Sequence, residues 1–425
     1  MKIAVVGGGS TYTPELVEGF VSHTGRLPVD ELVLLDIDPE RLEVVGEFAR
    51  RILDHRGFAG ELTLTSDRTR AIDGASYVIV QLRVGGQAAR LTDETIPIEF
   101  GCIGQETTGP GGFAKALRTV PIVLDIAEET ARRGAKDAWV VDFTNPVGIV
   151  TQALLDEGHR AIGLCNVAIG FQRRFAAHFG VEPERVQLGH VGLNHLSWER
   201  SVRVDGVDRL PELIAKDLDE LADDIEMPGD LIRLLGAIPS YYLRYYYFTD
   251  DVLRELREPG HRTRAEEVKA IERELLEMYR DPALVEKPKL LEERGGAFYS
   301  EAAAQLVASL HAGTGDVQVV DIRNDGAVPG LPDDAVVEIP ARIDGDGAHP
   351  LPLEPLAQEF LGLVEQAKAY ERLAVEAATT GSRSSAHRAL LANPLVAQWD
   401  RATGLLDMLL DANRRYLPRF FPEDR

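Results

Sequence analysis

The chain has 425 residues, more than a single hydrophobic core usually supports, so two domains or an α/β body with an elaborated second half is expected. Its 46 Lys and Arg against 69 Asp and Glu give a net charge of −23, which repels phosphate backbones and anionic lipid and argues against nucleic acid or membrane as partners. Cys102 and Cys165 alone cannot build a disulfide framework, the opening MKIAVVGGGS is too short for a secretion signal, and no stretch approaches the ~20 apolar residues of a spanning helix; a cytoplasmic protein is expected.

The first third alternates strand and helix patterns. KIAVVGGG is a β-branched run ending in glycine, ELVEGFVSHTGRL has helical spacing, ELVLLDID is a second apolar run, and ASYVIVQLRVGG and DAWVVDFTNP are further buried strands. Short buried strands separated by helices predict a doubly wound, parallel, Rossmann-like sheet over residues 1–165. Beyond it, VQLGHVGLNHLSWERSVRVDG alternates like antiparallel strands, residues 211–285 carry helical spacing, and DVQVVDIRNDGAVPGLPDDAVVEIPARID reads as strands broken by turns. LAQEFLGLVEQAKAYERLAVEAATTG and RALLANPLVAQWDRATGLLDMLLDANRRY read as two closing helices, so residues 166–425 are expected to form an α+β domain.

Gly7, Gly8 and Gly9 directly follow the first strand, where glycines let the backbone approach a pyrophosphate lying on a helix N-terminus. Asp36 ends the next strand, where a carboxylate accepts hydrogen bonds from an adenosine ribose and repels a 2′-phosphate, favouring NAD over NADP. Cys165 and His195 are both candidates to emerge at the carboxyl edge of the sheet. One thiolate and one imidazole do not close a structural zinc site, but suit an open site completed by substrate oxygens and water. His190, five residues earlier, competes for the ligand role. Residues 241–247 hold five tyrosines, a packing surface or the source of a base beside a cation.

Together VVGGGSTYTPEL, QLRVGG, FGCIGQETTGPGGF, DFTNPVG, GLCNVAIG, GLNHLSW, IPSYYLRYYY, RTRAEEV, RGGAFYSEAA and NDGAVPGLPDDAVVEIP resemble glycoside hydrolase family 4 and, within it, the 6-phospho-β-glucosidases. The resemblance implies a fold like that of lactate and malate dehydrogenases, NAD and a divalent metal, usually Mn²⁺, as cofactors, a phosphorylated sugar as substrate, and a homodimer or homotetramer. It implies Cys165 and His195 as metal ligands, Gly7, Gly8, Gly9, Ser10, Thr11 and Asp36 as the NAD site, and Arg83 and Asn145 as substrate-binding. Arg262 or Arg264 would grip the sugar phosphate, and Tyr242 or its neighbour Tyr241 would be the base.

The implied reaction oxidises C3 of the sugar transiently, removes the acidified C2 proton, eliminates the aglycone and adds water, which makes the class an exception to the paired-carboxylate scheme. Asn166, after the cysteine, stands where relatives acting on α-linked substrates carry an acid, and so points to β-linked substrates. Two positions depart from the family pattern: Ala168 replaces a proline, and Glu99 replaces a lysine, which is expected to raise the tyrosine pKa. The competing readings are an NAD-dependent 2-hydroxyacid dehydrogenase and a catalytically inactive NAD-binding regulatory protein.

Overall fold

A computed structural model describes residues 1–23, 25–295 and 298–424, without the side chains of Asp224 and Asp424; Gly296 and Ala297 of the RGGAFYSEAA stretch lie outside the described residues. Six short strands form in the first third: β1 (Lys2–Val6), β2 (Glu31–Leu35), β3 (Glu61–Thr65), β4 (Tyr77–Val80), β5 (Trp139–Asp142) and β6 (Ala161–Gly163). They run parallel in the order β3-β2-β1-β4-β5-β6. The edge strand β3, ELTLT, is only half apolar and adds to the strands expected from apolar runs.

Extended backbone sends successive side chains to opposite faces. Ile3, Val5, Leu32, Leu34 and Ile79 accordingly enter one core with Leu16 and Phe20 of helix Thr13–Ser22. Ala4, Val6, Val33, Val78 and Val80 enter a second core, against Phe113 and Leu117 of helix Gly109–Arg133. A sheet covered on both faces needs apolar residues at every position, which is why these runs do not alternate. The second face also receives Ala374 and Leu405, so the last helices of the chain return to the sheet formed by its beginning.

The remaining strands are β7 (Val186–Leu193), β8 (Leu196–Val204), β9 (Val207–Asp208), β10 (Ile238–Pro239), β11 (Asp316–Arg323), β12 (Val336–Asp344) and β13 (Gly347–Pro350). They extend the same sheet antiparallel beyond β6 in the order β11-β12-β7-β8-β10, with β13 on β12 and β9 on β8. Strand direction thus changes next to the 165/166 boundary, inside one continuous sheet of 13 strands. Among the described residues no helix is long and apolar enough to cross a membrane.

The second closing helix expected from sequence is in fact two, Arg383–Ala392 and Trp399–Ala412. Pro394 offers no N–H, and its ring disfavours the helical conformation in the residue before it, so Asn393 turns out at φ −64°, ψ 121°. The Asn393 side chain then caps the break by accepting from the Leu395 N–H at 2.9 Å.

The join between the two halves of the sheet is Gly163 of β6, opposite Asp321 of β11. A Cβ at Gly163 would meet Thr151 Oγ1 at 2.3 Å and Asp321 Cβ at 2.9 Å. Gly163→Ala is therefore expected to destabilise the protein by about 1–3 kcal/mol through overpacking, read as a lower urea midpoint; an unchanged midpoint would contradict the contact.

Candidate active site

The carboxyl ends of the parallel strands converge on one cleft of about 1450 Å³, larger than the usual few hundred to ~1,000 Å³ of a small-molecule site. Gly7 follows β1 at φ +90°, where a Cβ would lie 2.7 Å from the Gln81 carbonyl oxygen. The Gly7 and Gly8 N–H groups donate to the Leu35 carbonyl at 2.9 and 2.8 Å, folding the loop across the end of β2. There the Asp36 carboxylate accepts from the Gly9 N–H at 2.8 Å and the Asp38 N–H at 3.0 Å, so it orders the loop as well as facing the cleft.

Ser10 lines the cleft, whereas Thr11 is fully buried beneath it. Its hydroxyl accepts from Arg294 Nε at 2.8 Å and its carbonyl from the Tyr279 hydroxyl at 2.7 Å. The second half of the chain thereby braces the loop of the first.

Cys165 follows β6 as the N-cap of helix Asn166–Phe179 and is buried. Burial, reinforced by the negative charge of Glu338, pushes its thiol well above the ordinary range, and Tyr299 hydrogen-bonds to it. His195 occupies the two-residue turn between β7 and β8 at φ 64°, an uncommon conformation for a residue with a Cβ. Burial pushes it down to about 3, so the ring is neutral. Its Nδ1 lies 2.9 Å from Thr107 Oγ1, and its buried Nε2 has no hydrogen-bond partner among the described residues.

The Tyr242 ring stacks on His195 with centroids 3.6 Å apart and planes 7° from parallel. Burial, then the neighbouring Cys165, holds the Tyr242 hydroxyl well above 10. Tyr241 is instead exposed and accepts from Arg244 Nη1 at 2.7 Å.

A neutral imidazole with an orphaned nitrogen, together with Cys165, the ionisable side chain that acts most on Tyr242, fits an open metal site. Among the described residues no three His, Cys, Asp or Glu side chains gather to hold an ion without help, so further ligands would come from substrate and water. His190 is removed as a competitor. It is wholly buried between Glu199 Oε1 at 2.6 Å and Glu338 Oε2 at 3.0 Å; burial opposes its charge, but the two carboxylates outweigh that and hold it at about 10. A protonated imidazole with both nitrogens engaged has no lone pair to offer.

Arg83, Asn145 and Asn166, at the ends of β4, β5 and β6, all line the cleft, and Asn145 Oδ1 is buried without a partner among the described residues. Arg264 lines it too, donating to the Glu293 carbonyl at 2.7 Å, whereas Arg262 is exposed and does not line it. Glu99 corrects the expectation placed on it: it is exposed at the end of helix Gly86–Glu99, and the ionisable side chains acting most on Tyr242 are Cys165, Tyr245, Glu106 and Arg90. Ala168 is buried in the first turn of helix Asn166–Phe179.

Several cleft residues were not singled out from sequence. Glu106 pairs with Arg83, with Lys115 at 2.8 Å and with Arg90 at 3.4 Å, and despite its burial these cations hold it well below the carboxylate range. Burial, with Arg83 close by, pushes Lys115 down to about 7. Glu272 pairs with Arg294 at 3.2 Å and Arg41 at 3.4 Å beside the glycine loop. Charged residues embedded in apolar helical stretches, as Lys115 is in GFAKAL, were the signal available.

A doubly wound sheet with a glycine loop at its switch point and an acid at the end of the neighbouring strand defines a dinucleotide-binding α/β protein. Residues 2–181 match the model of the family 4 glycosyl hydrolases and residues 190–396 that of the family 4 glycosyl hydrolase C-terminal domain. The chain is 42% identical to a Bacillus subtilis protein named "Probable 6-phospho-beta-glucosidase", over 99% of this chain and 98% of that one. It is 39% identical to the 6-phospho-beta-glucosidase BglT of Thermotoga maritima, over 98% and 99%. A Thermotoga maritima 6-phospho-beta glucosidase structure with NAD and glucose-6-phosphate superposes with a TM-score of 0.91, at 39% identity and covering 98% of this chain and 99% of that one. A lactate dehydrogenase from a deep-sea metagenome, at 14% identity and TM-score 0.57 over 89% of this chain and 98% of its own, shares the fold alone. The chain belongs to the family 4 glycosyl hydrolases.

The buried His190 cluster makes stability depend on pH. Its folded value of about 10 lies above the ordinary value of about 6.5, so its contribution is complete below pH ~6.5 and is lost as pH rises through ~10. The urea midpoint should fall over that interval in the wild type and fall less in His190→Gln; equal slopes would contradict a charged His190.

Proposed function

We propose that the protein hydrolyses 6-phospho-β-glucosides to glucose 6-phosphate and an aglycone, using NAD and a divalent metal, Mn²⁺ foremost. The observation that carries this is the neutral His195 with its unpartnered Nε2, stacked on Tyr242, which lines the cleft that also holds the glycine loop. Solved relatives support the cofactors: a Thermotoga maritima 6-phospho-beta glucosidase holds manganese, NAD⁺ and glucose-6-phosphate. Identities of 35–42% to 6-phospho-beta-glucosidases, against 28–30% to phospho-alpha-glucosidases, support the β linkage, as does the neutral Asn166.

In this reading Cys165 and His195 hold the metal, Gly7, Gly8, Gly9, Ser10 and Asp36 hold the dinucleotide, and Thr11 supports the loop from below. Arg83, Asn145 and Asn166 orient the sugar, and Arg264, rather than the exposed Arg262, takes its phosphate. When bound, NAD⁺ supplies a reversible hydride acceptor and the metal a Lewis acid, which together acidify the hydrogen at sugar C2, and the cation's charge would offset the burial and the Cys165 charge that hold the Tyr242 hydroxyl high. Tyr242 Oη removes that proton and holds it, its ring fixed by the His195 stack. Loss of the aglycone across C1–C2, addition of water at C1 with return of the proton to C2, and return of the hydride to C3 complete hydrolysis. We further assign the protein to the cytoplasm, as a homodimer or homotetramer; two free, buried thiols support a reducing compartment. We retain residues 1–165 as the dinucleotide unit and 166–425 as the metal and substrate unit.

The test is release of nitrophenol from 4-nitrophenyl β-D-glucoside 6-phosphate, with and without NAD⁺, Mn²⁺ and reductant, beside the unphosphorylated and α-linked analogues. Cleavage should require NAD⁺ and the phosphate, and should leave no accumulated NADH. Cleavage without NAD⁺ would refute the mechanism, and NADH accumulating in step with substrate would point to a dehydrogenase. Tyr242→Phe should lower kcat on the order of 10²–10⁴-fold and abolish uptake of deuterium at C2 in D₂O.

A further inference from the structure

Around Thr107 the hydrogen bonds can be assigned a direction. The side-chain amide of Gln105 points one atom at the N–H groups of Thr107 and Thr108, both at 2.6 Å, so that atom is the oxygen. The Thr107 hydroxyl lies 2.8 Å from the same oxygen and must donate its single proton there. Towards His195 Nδ1, 2.9 Å away, Thr107 Oγ1 can then only accept. Nδ1 therefore carries a hydrogen whatever the charge of the ring, and Nε2 is the one nitrogen able to present a lone pair.

Among the described residues no other contact settles this choice. The Tyr242 stack fixes the plane of the imidazole, but a half-turn about the Cβ–Cγ bond returns the ring to that plane while exchanging nitrogen for carbon positions. The left-handed φ of 64° at His195 sets the backbone and leaves the side chain free to rotate. Gln105 and Thr107, by contrast, sit in the loop leading into the buried helix Gly109–Arg133 and are held by it.

We infer that Thr107, oriented by Gln105, is a positioning residue that sets the tautomer and flip of His195 and so keeps Nε2 as the nitrogen with a lone pair to offer beside Tyr242. The inference rests on the reading of Cys165 and His195 as metal ligands and adds to it the group that prepares one of them before an ion arrives. Partners of this kind typically govern metal affinity by 10–100-fold.

The test titrates Mn²⁺ alone into the full-length wild type, Thr107→Val and Thr107→Ser, following free Mn²⁺ by electron paramagnetic resonance. The valine variant should bind about 10–100-fold more weakly. The serine variant, which keeps the hydroxyl, should restore most of that loss, and NAD⁺ affinity and circular dichroism should be unchanged in both. In ¹⁵N-histidine spectra of the metal-free wild type, the resonances lost in His195→Gln should show the proton on Nδ1. A wild-type proton on Nε2 overturns the assignment, and this measurement stands even where the valine variant does not fold. Equal Mn²⁺ affinity in wild type and Thr107→Val overturns the positioning role alone. A wild type that binds no Mn²⁺ overturns the metal reading, and the positioning role with it.

Discussion

A single backbone bridge, Gly163 opposite Asp321, joins the parallel half of the sheet to the antiparallel half, and the site depends on it. Cys165 emerges two residues after that glycine, while His195 sits on the hairpin of β7 and β8, reached from the bridge only through β11 and β12. Strand register across the sheet therefore sets both the thiol and the imidazole near Tyr242. Because Gly163 has no side chain, Asp321 and Thr151 approach closely, and the join leaves no gap beneath the site. The same region buries Asp321, Glu338 and Glu199, and places a charged His190 between two of these carboxylates, so polar groups anchor the site from below.

A chain of net charge −23 must create positive potential locally to attract an anionic cofactor and substrate. It does so with acids used as organisers. Glu106 gathers Arg83, Arg90 and Lys115 around one buried carboxylate, and Glu272 gathers Arg41 and Arg294 near the glycine loop. In each cluster the cations outnumber the acid, so the cleft keeps a positive excess while every arginine stays in a defined direction. Side chains already ordered lose less entropy when a phosphate arrives. Lys115, pushed down to about 7 by burial and Arg83, shows how tightly this charge is packed.

Much of the site was legible in sequence because it lies next to strands, and strand runs are local signals. Gly7 to Gly9, Asp36, Arg83, Asn145 and Cys165 each follow an apolar run, and each emerges at the same edge of the sheet. Choices between neighbours were not legible. His190 and His195 lie on one hairpin, yet Glu199 and Glu338 make the first a buried cation while Thr107 leaves the second with a free nitrogen. Tyr241 and Tyr242 both line the cleft, but the first is exposed and bonded to Arg244 while the second is half-buried and stacked on His195. Glu99 carried an expected electrostatic role that its exposed place at a helix end denies it.

The sequence by itself determined the doubly wound first half, the glycine loop and its acid, the family, and the cysteine, histidine and tyrosine types of the candidate site. Each of these is a matter of local periodicity or of residue identity at fixed spacing. Only the tertiary structure decided which histidine is neutral, which tyrosine stacks, which arginine faces the cleft, and that Thr107 directs His195. Protonation and orientation depend on burial and on partners up to 148 residues away, as with His190 and Glu338, and no local pattern encodes such distances.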